Sequence, residues 1–362
     1  MDEKEVIMIT GVGGYWGAEV ANRLIADIQS IDDKEFHVIG IDSKSPNREI
    51  TGLDFIQADV RNPLLVELLE TEEVNIVCHL DFTMSVDLNE ATFEKNVIGF
   101  MKLMAACSEA GVQKVILKSS TAVYGAKPDN PGFISEDHPL QGSLAYGYTR
   151  DMVEIESFCN GFRRQVPEID LTILRFPSII GPKVDTPFVR FLKEPLAPVL
   201  LGFDPQMQVI HESDVTGALI FAILNNVSGI FNIAAEGTFP LRRLMTLTSK
   251  IPLPVFHPFA YLKGDFMSNI GAPVDRFIPM EWDYLRYPWV GDLIRMQEEF
   301  GYVPRYSAEE TLREFGGQQR INRYAPFRED TTFDEEQLRG IIERRRRIRE
   351  QAVNRENDHT ED

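Results

Sequence analysis

Residues 6–17 read Val6-Ile7-Met8-Ile9-Thr10-Gly11-Val12-Gly13-Gly14-Tyr15-Trp16-Gly17, an apolar run that passes straight into glycines at 11, 14 and 17. The run has the composition of a strand buried on both faces, and the glycines that of a tight turn opening a helix. Gly11 suits a positive φ, Gly14 lets a pyrophosphate approach the backbone, and Gly17 lets the next helix pack closely on the strand. Phosphates would then rest against unpaired N–H groups at the helix head.

Glycine triplets alone are weak evidence, so the surrounding pattern matters. After Gly17, the residues Val20, Leu24, Ile25 and Ile28 recur on one helical face. A second apolar strand over 36–41 then ends in Asp42. An acidic side chain at that point accepts hydrogen bonds from an adenosine ribose and repels a 2′-phosphate, so the pattern predicts a dinucleotide site selective for NAD over NADP.

Strand and helix patterns continue to alternate, with strands predicted at 6–9, 37–41, 54–57, 76–80, 114–118 and 171–174 and helices at about 17–28, 63–70, 89–110 and 146–164. Such alternation predicts an α/β fold: a Rossmann-type, doubly wound parallel sheet with ligands beyond the carboxyl ends of its strands. After Arg175 the rhythm breaks at Pro177, Pro182, Pro187, Pro195 and Pro198, as expected of a smaller mixed lobe. A helix at 213–224 and a strand at 229–233 return to the main body. An aromatic, proline-rich stretch follows over 252–290, then helices near 292–300 and 308–315. The expected division is a dinucleotide domain over 1–176, with further main-body elements at 207–234, and a substrate lobe over 177–326. A charged tail, helical or partly disordered, covers 327–362.

The chain has 362 residues, 43% of them hydrophobic, and a formal charge of −19. That charge opposes general binding to nucleic acid or an anionic membrane, so an anionic substrate requires a local cationic pocket. No apolar run is long enough to span a bilayer and residues 1–5 are not signal-like, which predicts a soluble, cytoplasmic protein. Cys78, Cys107 and Cys159 lack metal-ligand spacing and read as reduced structural thiols, with no metal expected. In the tail, Leu338, Ile341, Ile342 and Ile348 share roughly one helical face, while acidic residues outnumber arginines 11 to 8 from position 328 onward.

Further runs carry a resemblance: Asp59-Val60-Arg61, Asn96-Val97-Ile98-Gly99, Ser119-Ser120-Thr121-Ala122-Val123-Tyr124-Gly125, Tyr146-Gly147-Tyr148-Thr149-Arg150, Arg175 to Pro182, and His211-Glu212-Ser213-Asp214-Val215. With the glycines and Asp42, they resemble the extended short-chain dehydrogenase/reductase family in its NAD-dependent epimerase/dehydratase branch, over about residues 5–316. The later part resembles a subgroup often labelled UDP-glucose 4-epimerase. The resemblance implies that Gly11, Gly14, Tyr15, Trp16 and Gly17 hold the pyrophosphate side of NAD, Asp42 the ribose, and Asp59 with Val60 the adenine. It also implies cofactor contacts from Leu80, Asp81, Phe82, Asn96, Ser119, Tyr146, Arg150, Phe176 and Pro177. Asp81 and Phe82 stand where relatives usually carry small residues. A carboxylate and a phenyl ring there are expected to crowd the cofactor.

In this family a tyrosinate removes the hydroxyl proton of a sugar while NAD takes the hydride. Free tyrosine titrates near ~10, so the base needs a fixed positive charge beside it. Relatives supply a lysine four residues later; here Tyr146 is followed by Arg150, which keeps the charge but not the ammonium geometry. Tyr148 is a poor substitute, since a separation of two from Arg150 places the pair on opposite sides of a helix. Ser120, with Thr121 as the near alternative, is the hydroxyl expected to orient the reacting oxygen. On the substrate side Ser178 replaces a common asparagine, and the expected diphosphate-binding arginine before His211 is missing. Lys183, Arg190 and Arg286 are the cations left to form an anion pocket. His211 is expected to be structural.

The leading expectation is a sugar-nucleotide epimerase/dehydratase-like oxidoreductase with a Ser/Tyr/Arg site. An NAD-binding sensor or scaffold without turnover and a reductase of a small carbonyl substrate are the alternatives. Family members often dimerise through the helices at about 89–110 and 146–164, so a homodimer is expected.

Overall fold

The computed structural model describes residues 5–28, 36–194, 196–256 and 281–324. Strands β1 (Glu5–Thr10), β2 (Phe36–Asp42), β3 (Asp54–Gln57), β4 (Ile76–His79), β5 (Lys114–Ser120) and β6 (Asp170–Phe176) join Gly229–Asn232 in one seven-stranded sheet. Every pairing in it is parallel, and β1 lies between β2 and β4. The strand order therefore reverses at β1, opening a crevice where Gly11 follows the strand. The expected Rossmann-type α/β fold is the observed one.

Alternation along β1 feeds two cores. Ile7 and Ile9 join the layer containing Val20, Ala21, Leu24 and Ile25 of helix α1 (Tyr15–Ile28). Val6 and Met8 face the other layer, with Phe100, Leu103 and Cys107. Both faces of a parallel sheet are thus covered, which explains its nearly continuous apolar strands. Helix α2 (Leu65–Thr71) begins slightly later than its sequence pattern.

The helix predicted over 89–110 is interrupted. Asn89 caps α3 (Glu90–Phe93) by accepting a hydrogen bond from the Thr92 N–H, a wide π turn follows over Glu94–Ile98, and α4 (Gly99–Glu109) resumes the ordinary winding. The π turn carries Asn96, whose amide donates to Thr83 O at 2.8 Å and Asp151 Oδ2 at 2.9 Å and accepts from Thr83 N–H at 2.9 Å. Those bonds fix the segment after β4 against helix α5 (Gly147–Gln165).

Thr10 ends β1 by organising the same segment. Its Oγ1 accepts from Leu80 N–H at 3.1 Å and Asp81 N–H at 3.3 Å and shares a 2.8 Å hydrogen bond with His79 Nδ1. Burial holds the His79 imidazole down at about 4, below its ordinary 6.5, with Asp81 and Lys95 as the nearby charges. Between those values the unfolded chain binds the additional proton, so this contribution is complete above about 6.5 and fades as pH falls toward 4. Unfolding by urea is expected to show about 2 kcal/mol less stability from this group at pH 5 than at pH 7. His79→Gln should flatten that part of the slope; an unchanged slope would assign it to other groups.

Past β6 the chain forms short pairs. Strand β7 (Ser178–Ile180) lies parallel to Val209–His211, Leu196–Leu200 parallel to Ile251–Val255, and Gln206–Met207 antiparallel to Phe239–Pro240. Thr186 caps the helix Pro187–Lys193 by accepting from Val189 N–H. The predicted helix near 292–300 is a π turn over Met296–Phe300. The described residues up to Gly316 form one compact unit, and a second unit begins at Gly317. Pro195, positions 257–280 of the aromatic stretch and the charged tail over 327–362 lie outside the described residues. No described helix is long and apolar enough to cross a membrane. Cys78, Cys107 and Cys159 are buried free thiols, and burial pushes Cys78 and Cys107 up to about 12.

Candidate active site

The glycine turn has the geometry its sequence requires. Gly11 has φ of +77°, and a Cβ there would lie 2.6 Å from the Asp81 nitrogen. A Cβ on Gly17 would lie 2.2 Å from Gly11 O, so only glycine lets α1 begin this close to β1. Gly14 N–H donates to Gly11 O, and Ala18 N–H is the first to bond back to Gly14 O. The N–H groups of Tyr15, Trp16 and Gly17 therefore stand at the head of the helix, as anion binding requires. Asp42 is buried and its carboxylate accepts from Gly13 N–H at 3.0 Å and Lys44 N–H at 2.9 Å. It thus ties the second strand to the turn.

Neighbouring candidates have partners of their own. Asp59 is gripped by Arg61 through its backbone N–H, Nε and Nη2, and the guanidinium keeps its carboxyl below the usual range. Val60 is buried. Asp81 pairs with Lys95 at 2.8 Å, so its carboxylate is neutralised by an adjacent ammonium. Phe82 packs edge-on against Tyr148 with ring centroids 6.0 Å apart. Leu80 is buried in the core behind them.

Beyond the strand ends a cleft partly open to solvent is lined by Trp16, Lys118, Ser119, Ser120, Tyr146, Tyr148, Phe176, Pro177 and Ser178. Met84, Val86, Phe188, Tyr284 and Trp289 add apolar wall, and Asp185 and Glu281 two carboxyl groups. Ser120 Oγ accepts from Ala122 N–H at 3.2 Å, capping a short turn over Thr121–Tyr124, and is hydrogen-bonded to the Tyr148 hydroxyl. Burial raises the Tyr148 phenol above its ordinary value. Thr121 is fully buried, its hydroxyl has no hydrogen-bond partner, and it is absent from the cleft lining. Ser119 Oγ donates instead to buried Glu156 at 2.5 Å.

Tyr146 is the N-cap of α5, with extended dihedrals of −112° and 130°, and the free Gly147 and Tyr148 N–H groups of the first turn donate to the carbonyls of Val86 and Ser85. Its carbonyl accepts from Arg150 N–H at 2.9 Å, but its own dihedrals are those of the cap and not of the helix. Arg150 is held by Asp151 through Nε at 2.9 Å and Nη2 at 2.7 Å and stacks on Phe93, 4.6 Å from the ring centroid. The structure brings Tyr146, Ser120 and Tyr148 to one cleft and places Arg150 outside its lining.

The substrate candidates are dispersed. Ser178 lines the cleft with a buried hydroxyl lacking a partner, as does the Trp289 Nε1–H. Glu281 presents a third unpartnered atom, Oε1, and burial raises its carboxyl. Arg190 makes a two-bond pair with Asp185, Arg286 sits over Phe203 and Tyr287, and Lys183 is exposed. His211 caps its helix through Ser213 and faces Glu314 at 3.3 Å, the structural role expected for it. Buried Glu212 accepts from the N–H groups of Lys183 and Val184 and is hydrogen-bonded to the Tyr15 side chain.

Lys118 was not legible as a site residue. Its ammonium lies 5.1 Å from the Trp16 ring centroid, and burial pushes it down to about 8. The available signal was a single charge in the run Val115-Ile116-Leu117-Lys118, two positions before Ser120.

A parallel sheet with a glycine turn at its switch point, a serine at the end of β5 and a tyrosine at the head of α5 defines a dinucleotide-dependent enzyme class. Residues 7–234 match the NAD dependent epimerase/dehydratase family, and the chain belongs to that family. An uncharacterized protein of Mycobacterium tuberculosis is 32% identical over 325 residues, covering 86% of this chain and 83% of the relative. A UDP-glucose 4-epimerase from Thermotoga maritima, solved with UDP-glucose, superposes with a TM-score of 0.65 at 20% identity, covering 88% of this chain and 99% of that one. A dTDP-glucose 4,6-dehydratase from Streptomyces venezuelae, solved with NAD, gives 0.66 at 20% identity over 88% and 98% of the two chains.

Proposed function

We propose that this chain is an NAD-dependent oxidoreductase of the epimerase/dehydratase type that acts on the secondary alcohol of a nucleotide sugar. The observation that carries the reading is the convergence of Ser120 and Tyr146 in the cleft reached by Trp16 of the glycine turn. The cradle fits a dinucleotide: the helix head offers N–H groups to phosphates, and Asp42 sits at the end of β2 for a ribose. When bound, NAD supplies the hydride acceptor.

The protein's own residues handle the proton. Ser120 hydrogen-bonds the reacting oxygen, and the Tyr146 phenol takes its proton, favoured by the positive end of the α5 dipole. Tyr148 holds the Ser120 hydroxyl in place. Incubation with NAD and a panel of UDP- and dTDP-sugars, read by absorbance of reduced cofactor and by sugar epimer analysis, tests the proposal. NAD binding without turnover that depends on Tyr146 would overturn it and favour the sensor reading.

Arg150 acts in this scheme by fixing the head of α5 to Phe93 and Asp151. Arg150→Lys loses the planar stack and the paired hydrogen bonds. It is expected to lower the melting temperature by a few degrees, about 1 kcal/mol, while leaving turnover within roughly threefold. A turnover gain above tenfold would instead show a cation acting directly on the tyrosine.

The cleft wall favours a second reading, a reductase of a small apolar carbonyl compound. Among the described lining residues Lys118 is the one cation, and Lys183, Arg190 and Arg286 stand elsewhere. Saturable UDP or dTDP binding to the NAD-loaded protein would reject that reading.

A further inference from the structure

The cation of the cleft does not come from the helix that carries it in the family pattern. Arg150 is committed to Asp151 and Phe93, whereas Lys118 reaches the cleft from the central sheet. Strand geometry places Lys118 and Ser120 on the same face of β5, with Cα atoms about 7 Å apart. The Lys118 ammonium rests over Trp16, in the first turn of α1 beside the glycine turn. Its position is therefore bracketed by the turn that would hold the pyrophosphate and by the hydroxyl that would orient the reacting oxygen. Hydride transfer requires the nicotinamide ring to lie against the carbon bearing that oxygen. The nicotinamide half of a dinucleotide must thus run along the interval that Lys118 faces.

No carboxylate and no hydrogen-bond acceptor meets this ammonium among the described residues, and its neighbour is an aromatic face. A half-buried cation that lines the cleft without a protein partner has its charge available to a ligand. The oxidised nicotinamide ring is itself positive and the reduced ring is neutral. A fixed ammonium nearby consequently penalises the oxidised form and not the reduced one.

We propose that Lys118 is a cofactor-facing residue that biases this site toward the reduced dinucleotide. The inference rests on the NAD-dependent reading above, and it adds a property: the protein retains NADH more firmly than NAD. An enzyme of this kind keeps its reduced cofactor while a keto intermediate is in the cleft, so that the hydride is returned to that intermediate and not lost with the cofactor.

Calorimetric titration of the full-length protein with NAD and with NADH, at one ionic strength, tests it in the wild type, Lys118→Met and Lys118→Arg. The ratio of the two dissociation constants, NAD over NADH, is expected to fall roughly tenfold in Lys118→Met. In Lys118→Arg, which keeps the charge, it is expected to stay within threefold of wild type. A ratio unchanged in the methionine variant, or equal weakening toward both forms, overturns the assignment while leaving the dinucleotide site intact. Failure of the wild type to bind either form overturns the dinucleotide reading itself. Should the methionine variant not fold, Lys118→Gln and the arginine variant provide the same comparison.

Discussion

Arg175→Met is expected to lower the free energy of unfolding by about 3–5 kcal/mol, the usual cost of removing one partner from a buried ion pair. Arg175 is among the largest fully buried side chains, and Glu156 opposite it is equally buried. Nε and Nη2 of the guanidinium donate to both Glu156 oxygens, at 2.5–3.2 Å, while Nη1 donates to Tyr124 Oη at 2.8 Å and Glu136 O at 2.9 Å. Tyr124 Oη in turn donates to Asn232 Oδ1 at 2.7 Å. One side chain therefore joins β6, α5, the turn after Ser120 and the last strand of the sheet. Methionine fills most of the volume but leaves the Glu156 carboxylate, among the described residues, with only the Ser119 hydroxyl as a direct partner. Urea denaturation checks the figure, and a loss below about 1 kcal/mol would mean that water or a rearranged partner satisfies Glu156. The double substitution Arg175→Met with Glu156→Leu should recover much of the loss, because no isolated charge remains.

The sequence made the dinucleotide cradle legible because local rules govern it: apolar alternation, a positive φ at Gly11, contact-limited packing at Gly17 and a carboxylate ending β2. These residues are close in sequence, so their geometry follows from short-range sterics. The reactive end obeys a different logic. Arg150 looked like the partner of Tyr146 from a spacing of four, but that rule holds only inside a helix, and Tyr146 is the cap. What decides its fate is Asp151, buried beside it and anchored by Asn96, a residue 55 positions away in sequence. The π turn that puts Asn96 there has no clear period in a single sequence. Asp81 looked repulsive toward a cofactor for the same reason, since its neutralising partner, Lys95, enters from that turn. Lys118 gives no such signal in the sequence, because a lysine following an apolar run normally extends its stem to solvent. Only the packing of Trp16 shows that this one faces the cleft.

Tyr146→Phe is expected to lower kcat by about a thousandfold with little change in NAD affinity, the scale of losing a positioned acid/base group. Tyr148→Phe removes a hydroxyl that holds Ser120 and is expected to lower kcat only about tenfold, the worth of roughly one neutral hydrogen bond. The contrast is informative because both phenols line the same cleft, and Tyr148 is hydrogen-bonded to Ser120. Burial raises the Tyr148 phenol, which opposes ionisation, and Arg150 on the far side of α5 offers it no relief. Tyr146 and Tyr148 both stand at the head of a 19-residue helix, where the macrodipole favours an anion, so it is the family position of Tyr146 four residues before Arg150 that sets the two apart. Pre-steady-state absorbance of reduced cofactor separates the two roles. A proton acceptor lost at Tyr146 removes the reduction burst, whereas a misoriented Ser120 slows it. If Tyr148→Phe proves the more damaging substitution, the base belongs to Tyr148.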